Sequence, residues 1–252
     1  MRNLIFIFSF FLLGFLLTKC KTHESSSVPF SDRYPKDTLI SKKDGTLIDS
    51  LTFYYPTTFI DDTSLNQHSL DNFYKNWFSS ALYAFKEPVL YNYYLGHDIY
   101  RFLWLRSFDR PILLVLNQDN TNVWLMIKIL DRQPRFLDQT ILKALPRKGK
   151  GLKVELVPDS VVKGDRKADI VLNRRINLTS REWNKVDSLI KAADFWAVPP
   201  TKQATGMDGS QWIIEAHTKE NYRFVQRWAP KDKFRIIGEF LIELSGLKEE
   251  IY

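Results

Sequence analysis

Three apolar runs, Arg101–Phe108, Ile112–Gln118 and Val123–Leu130, follow one another with only "DRP" and "DNTN" between them. Each is rich in Leu, Ile, Val, Phe and Trp, the residues that fit a pleated, half-buried surface. Connections this short allow neighbouring strands to run only antiparallel, because a parallel pair needs a crossover of a dozen residues or more. The spacing therefore predicts an antiparallel meander. Two more strands are expected at Gln211–Thr218 and Tyr222–Trp228, another at Ala168–Ile176, and a short apolar element near Phe136–Leu145. A hairpin is expected around Lys43-Asp44-Gly45, since Asp-Gly between apolar patches is a tight-turn signal.

Helices punctuate these strands. Leu70, Phe73, Tyr74, Trp77, Phe78, Ala81, Leu82 and Phe85 recur at the three-and-four spacing of one helical face, and Pro88 closes that unit. Thr179 and Glu182 stand at capping-box spacing ahead of Trp183, Val186, Leu189, Ile190 and Ala193. A last helix is expected from about Asp232 to Ser245, with Phe234, Ile237, Phe240, Leu241 and Leu244 inward and Gly246 as its stop. The fold class that follows is α+β: an antiparallel sheet with about three amphipathic helices packed on it. A composition of 44% hydrophobic and 26% charged residues suits such a domain.

The N-terminus reads differently. "MRNLIFIFSFFLLGFLLTKC" has Arg2, then a fourteen-residue apolar run, Leu4 to Leu17. A membrane-spanning helix needs about 20 apolar residues, so the run suits a signal-peptide core. It ends at Leu17-Thr18-Lys19-Cys20, which resembles a bacterial lipobox with Cys20 as the lipidated residue, although Lys19 stands where a small residue is usual. An uncleaved anchor and a cleaved secretory signal are the other readings, and all three export the protein. The expected organisation is a signal peptide over 1–19, a tether over 20–36 after the lipidated cysteine, and one α+β domain over 37–252, with a subdivision near 146–167 left open. Cys20 is the only cysteine, so neither an intramolecular disulfide nor a cysteine-based metal site can form.

Catalytic signatures are sparse. The four histidines, His23, His68, His97 and His217, show no metal-pair spacing, and there is no Gly-x-Ser-x-Gly elbow or phosphate loop. No catalytic residue, metal ligand or cofactor is assigned. Charge is uneven: from Lys143 to Arg175 ten Lys or Arg stand against four Asp or Glu. Within it, Arg147, Lys148, Lys150 and Lys153 form a basic loop, a candidate contact for an anionic membrane surface or acidic glycan; export argues against nucleic acid.

The stretch "GMDGSQWIIE" (Gly206–Glu215) is the segment most like a site, and is read chiefly as a turn in which Asp208 bonds nearby backbone amides. With a three-residue loop at Lys219-Glu220-Asn221, Trp212, Ile214, Ala216, Tyr222, Phe224 and Trp228 share an apolar face. Glu215, His217, Arg223 and Arg227 then share a charged one, where a surface ion-pair ladder is expected. Asp208, Glu215, His217, Arg223 and Arg227 form the candidate functional surface. Most of the seven tryptophans fall on apolar phases and are expected in the core; Tyr91, Tyr93, Tyr94 and Tyr100 are less clearly phased and are the better candidates for an exposed aromatic surface.

The series "FWAVPP", "GMDGSQWIIE", "YRFVQRWAP" and "LIELSGL", together with "RFLWLRSFDRPILLVL", resembles a pattern in uncharacterised bacterial proteins, many of them lipoproteins of Bacteroidota. The resemblance covers about half the chain, from Arg101 to Leu130 and from Leu178 to Leu247. It implies lipidation and a single α+β unit, and carries no catalytic residue. The function expected is an envelope-anchored lipoprotein that binds or interacts without catalysis, with the membrane through its lipid anchor, an envelope protein or an acidic glycan as partners. The alternatives are an envelope hydrolase acting on glycan or peptide through Asp208, Glu215 or His217, and an immunity-type protein that binds a toxin.

Overall fold

The computed structural model describes residues 34–49, 52–56, 72–134, 140–146, 152–158, 167–202 and 208–251. The signal peptide, Cys20, nearly all of the tether, and the basic-loop residues Arg147, Lys148 and Lys150 lie outside the described residues.

The chain runs α1 (Asn72–Ala84), β1 (Asp98–Arg106), β2 (Ile112–Gln118), β3 (Val123–Leu130), β4 (Thr140–Pro146), β5 (Leu152–Pro158), β6 (Ile170–Leu178), α2 (Ser180–Ala192), β7 (Ser210–His217), β8 (Tyr222–Trp228) and α3 (Lys233–Ser245). Six strands make one sheet in the order β6-β3-β2-β1-β7-β8, antiparallel throughout, and β4 with β5 makes a separate hairpin in which Lys153 pairs with Leu145. The α+β expectation holds. The Asp44-Gly45 hairpin is present as a single bridge, Ser41 to Leu47, closed by Lys42 N–H donating to the Thr46 carbonyl at 2.8 Å.

Both faces of the sheet are covered, and two cores result. On one face Phe102, Trp104, Leu114, Trp212, Ile214 and Val225 pack against Trp183, Val186 and Ile190 of α2 and Phe234, Ile237 and Leu241 of α3. On the other, Leu103, Leu113, Ile213 and Phe224 pack against Phe78, Ala81 and Leu82 of α1, and against Tyr54, Tyr55, Phe85, Val89, Leu90 and Tyr91 of the segments flanking it. Of the tryptophans, Trp104, Trp183 and Trp212 are buried in the first core. Tyr91 and Tyr100 are buried too, so they form no exposed aromatic surface.

The helix ends follow local chemistry. The Glu182 carboxylate accepts the Thr179 backbone N–H at 2.5 Å and the Thr179 hydroxyl at 2.8 Å at the start of α2. The Asp232 carboxylate accepts the Phe234 N–H at 3.0 Å, and Gly246 closes α3 in the left-handed region at φ 68°. No described helix is long and apolar enough to cross a membrane.

Candidate functional site

The β7–β8 hairpin departs from expectation by one residue. His217 pairs with Tyr222 across a four-residue loop, Thr218 to Asn221, in which Thr218 N–H donates to the Asn221 carbonyl at 2.8 Å. Side chains alternate with a period of two, so a one-residue slip moves a whole strand's side chains to the opposite face. Glu215 therefore shares its face with Phe224, opposite it, and Ile213 with Gln226. Arg223 and Arg227 stand opposite Ala216 and Trp212, on the other face. The expected ladder from Glu215 to Arg223 and Arg227 does not form, and the five candidate residues do not make one surface.

Glu215 is buried, and its partner is a strand away. Register sets Arg101 of β1 directly opposite Glu215 of β7. The Arg101 Nε donates to Glu215 Oε2 at 2.6 Å, and Nη2 lies 2.6 Å from the same oxygen. Tyr222 donates its hydroxyl to Glu215 Oε1 at 2.8 Å. The Arg101 Nη1 donates to the Pro88 carbonyl at 2.8 Å and lies 3.6 Å from Glu87 Oε2, while Lys128 of β3 donates to Glu87 Oε1 at 2.7 Å and to the Phe85 carbonyl at 3.1 Å. Two cations thus meet two carboxylates under the C-terminal end of α1. Burial pushes the Glu215 carboxyl up, against the pull of Arg101 and Tyr222. For Arg101 burial acts downward, but Glu215 and Glu87 outweigh it, so the guanidinium stays charged. Chemically this is a closed, charge-balanced clamp that fastens the 85–88 segment to the sheet.

His217 is fully buried one pleat further along β7, opposite Ile99. Its Nε2 accepts the Leu95 backbone N–H at 3.0 Å, which leaves Nδ1 protonated to donate to the Leu90 carbonyl at 2.7 Å. Tyr34 reaches the same nitrogen at 3.1 Å and donates to the Thr218 carbonyl at 2.7 Å, and the Tyr94 ring stacks on the imidazole at 5.1 Å between centroids. Both nitrogens serve the backbone, so the ring is an internal splice between 90–95 and the sheet. Burial lowers its pKa to about 3. The unfolded chain takes up a proton near pH 6.5, the ordinary value for histidine, and the folded chain does not, so stability is full above that pH and declines as pH falls from 6.5 toward 3. A urea-unfolding series between pH 7 and pH 5, above the range where most carboxylates titrate, is expected to show this loss, with a flatter profile in His217→Gln. An equal slope in both proteins would remove His217 as the cause.

Arg223 and Arg227 hold a neighbouring loop. Arg223 Nη2 donates to the Val198 carbonyl, Arg227 Nη2 to that of Pro199 at 2.9 Å, and Gln226 N–H to that of Pro200 at 2.6 Å. The "FWAVPP" segment is thereby fixed along the outer edge of β8. Desolvation lowers the pKa of both arginines.

Asp208 is exposed, and it makes no hydrogen bond to the described residues. The turn is held by Gly209 instead: its carbonyl accepts from Ser107 N–H at 3.0 Å and Ser107 Oγ at 2.9 Å. A Cβ on Gly209, at φ 157°, would stand 2.9 Å from the Trp228 ring. The glycine is there for a close approach of backbone to indole. Asp208 and Glu215 are not brought together as an acid–base pair: one is on the surface, the other sealed beneath α1 and its flanking segments.

Sequence reasoning missed Arg101, Glu87 and Lys128. The signal for Arg101 was a cation inside "DIYRFLWLR", in phase with the apolar Ile99, Leu103 and Leu105; a charge on a buried phase demands a buried partner. Among the described residues no group of three or more His, Cys, Asp or Glu is placed to hold a metal. Neither protein-family models, curated proteins nor solved structures gave a match to this chain.

Proposed function

We propose that this chain is an envelope-anchored lipoprotein whose α+β domain acts as a non-enzymatic binding or interaction module. The observation that carries the reading is the use of Glu215 and His217. These are the carboxylate and imidazole that β7 offers for proton transfer, and both are buried with their polar atoms committed to Arg101, Tyr222, Leu90 and Leu95. A general acid or base must come within hydrogen-bond reach of substrate, and neither side chain is open to one. The export reading rests on the sequence "LLTKC" at the end of a signal-like apolar run, and on the resemblance to uncharacterised Bacteroidota lipoproteins. Lipid attachment at Cys20 would hold the domain at the envelope on the polar stretch that follows, in reach of an envelope protein or an acidic glycan.

The test is membrane fractionation of the wild type and Cys20→Ala, with labelled palmitate. The wild type is expected in the membrane fraction carrying label, and the variant is expected to lose both. Membrane association that persists in the variant, with no label on the wild type, would sink the lipoprotein reading. Affinity capture from intact envelope then identifies the partner without assuming a chemistry.

A further inference from the structure

A cleft of about 180 Å³ opens where β8 turns into α3, lined by Lys202 and by the run from Arg227 to Asp232. Three of these residues are cations and one is a carboxylate. That carboxylate is already engaged, since Asp232 caps α3 through the Phe234 N–H. Lys202 and Lys231 are exposed, whereas Arg227 is only 8% exposed. A buried guanidinium normally has a carboxylate beside it. Arg227 has neutral acceptors instead: the carbonyls of Pro199 at 2.9 Å, Gln226 at 2.7 Å and Pro200 at 3.4 Å. These occupy both of its Nη atoms; among the described residues no carboxylate is in ion-pair contact with it, and Asp232 of the same cleft acts on its charge only from farther away. Trp228 adds a second feature. Its ring lies against Gly209, and its indole N–H has no hydrogen-bond partner among the described residues.

We propose that this cleft binds a phosphate group. The charge excess of two matches a phosphate dianion. Arg227 supplies fixed charge from within the wall, Lys202 and Lys231 supply mobile ammonium donors from the rim, and the Trp228 indole N–H supplies a directional donor. The volume leaves room beside the phosphate for the group that bears it. At an envelope the same chemistry is offered by sugar phosphates and by phospholipid headgroups, and the two are separable by experiment. The inference does not depend on lipidation, so its failure and that of the lipoprotein reading are told apart by different measurements.

Binding is to be measured on the full chain in non-ionic detergent, at constant ionic strength, by calorimetry and by the Trp228 indole N–H resonance. The probes are inorganic phosphate, glucose 1-phosphate and phosphatidylglycerol vesicles. Saturable phosphate binding that moves the Trp228 resonance is expected, weakened about tenfold or more in Lys202→Ala/Lys231→Ala, the loss of at least one charge-assisted contact. Both lysines are exposed, so this variant is expected to fold as the wild type does. Tighter binding of glucose 1-phosphate assigns the site to a phosphorylated sugar, and vesicle binding competed by phosphate assigns it to a headgroup. No saturable binding of either free phosphate, or binding unchanged in the double variant, overturns the proposal. So does vesicle binding that phosphate does not compete, which would mark diffuse attraction by surface lysines.

Discussion

Arg101→Ala is expected to destabilise the protein by about 3–5 kcal/mol, the cost of breaking a buried ion pair by removing one partner. Arg101 is fully buried and, among the described residues, is the one cation in contact with Glu215. Without it the Glu215 carboxylate keeps only the Tyr222 hydroxyl, and Glu87 keeps Lys128. An ionised carboxylate in a dry interior is costly, so the folded state must either protonate Glu215 or open to water. A domain's whole stability is about 5–15 kcal/mol, so the variant is expected near the limit of folding. Urea unfolding at neutral pH measures this directly. The companion Arg101→Met/Glu215→Leu removes both charges and leaves an apolar pair, and is expected to recover most of the loss. If the single variant lost under about 1 kcal/mol, the clamp would be no more than a surface pair energetically.

Gly238→Ala is expected to destabilise by about 1–3 kcal/mol, against the usual preference for alanine in a helix. Gly238 lies in the middle of α3 on its buried side. An added Cβ there would stand 2.3 Å from Trp212 Cζ3, 2.5 Å from Trp212 Cε3 and 3.0 Å from Phe102 Cζ. Trp212 and Phe102 are fully buried, and the Trp212 ring packs against both Phe102 and Trp104, so it has no space to swing away. Helix propensity alone would favour alanine by about 1 kcal/mol. Overlap that deep within a packed core is larger, because α3 has to lift from the sheet to relieve it. Thermal or urea unfolding gives the sign, and a stabilised variant would show that α3 is less tightly seated on Trp212 than these distances require.

Much of the local structure was legible before any coordinates. Ile112–Gln118, Val123–Leu130 and Tyr222–Trp228 are strands over the residues expected, because alternation and turn residues are local properties of the chain. The helix ends were readable for the same reason: Thr179 with Glu182, and Asp232 with Gly246, are chemistry between residues close in sequence. The turn at Gly209 was readable as a turn, though what demands glycine there is the distant Trp228 ring. The candidate site fared worse. Glu215, His217, Arg223 and Arg227 were assigned to one exposed face from an assumed three-residue loop, and a fourth loop residue moved β8 over by one position. Loop length at a hairpin is weakly written in a sequence such as "HTKENY", while its effect on every following side chain is complete.

By itself, then, the sequence determined the order and kind of most helices and strands, with ends displaced by two or three residues at β1 and β6 and with β5 not foreseen, and it determined that the strands of the main sheet are antiparallel. Tertiary structure alone decided that β7 inserts beside β1, more than a hundred residues earlier, and so set Arg101 against Glu215. It alone decided that α1 and the segments 34–49, 52–56 and 85–95 cover the face that looked charged, turning Glu215 and His217 from surface candidates into interior fastenings. The physical reason is that periodicity records what each residue needs from its immediate neighbours. Which distant strand pairs and which segment covers a face depend instead on how the whole set of apolar surfaces and buried charges can be satisfied at once.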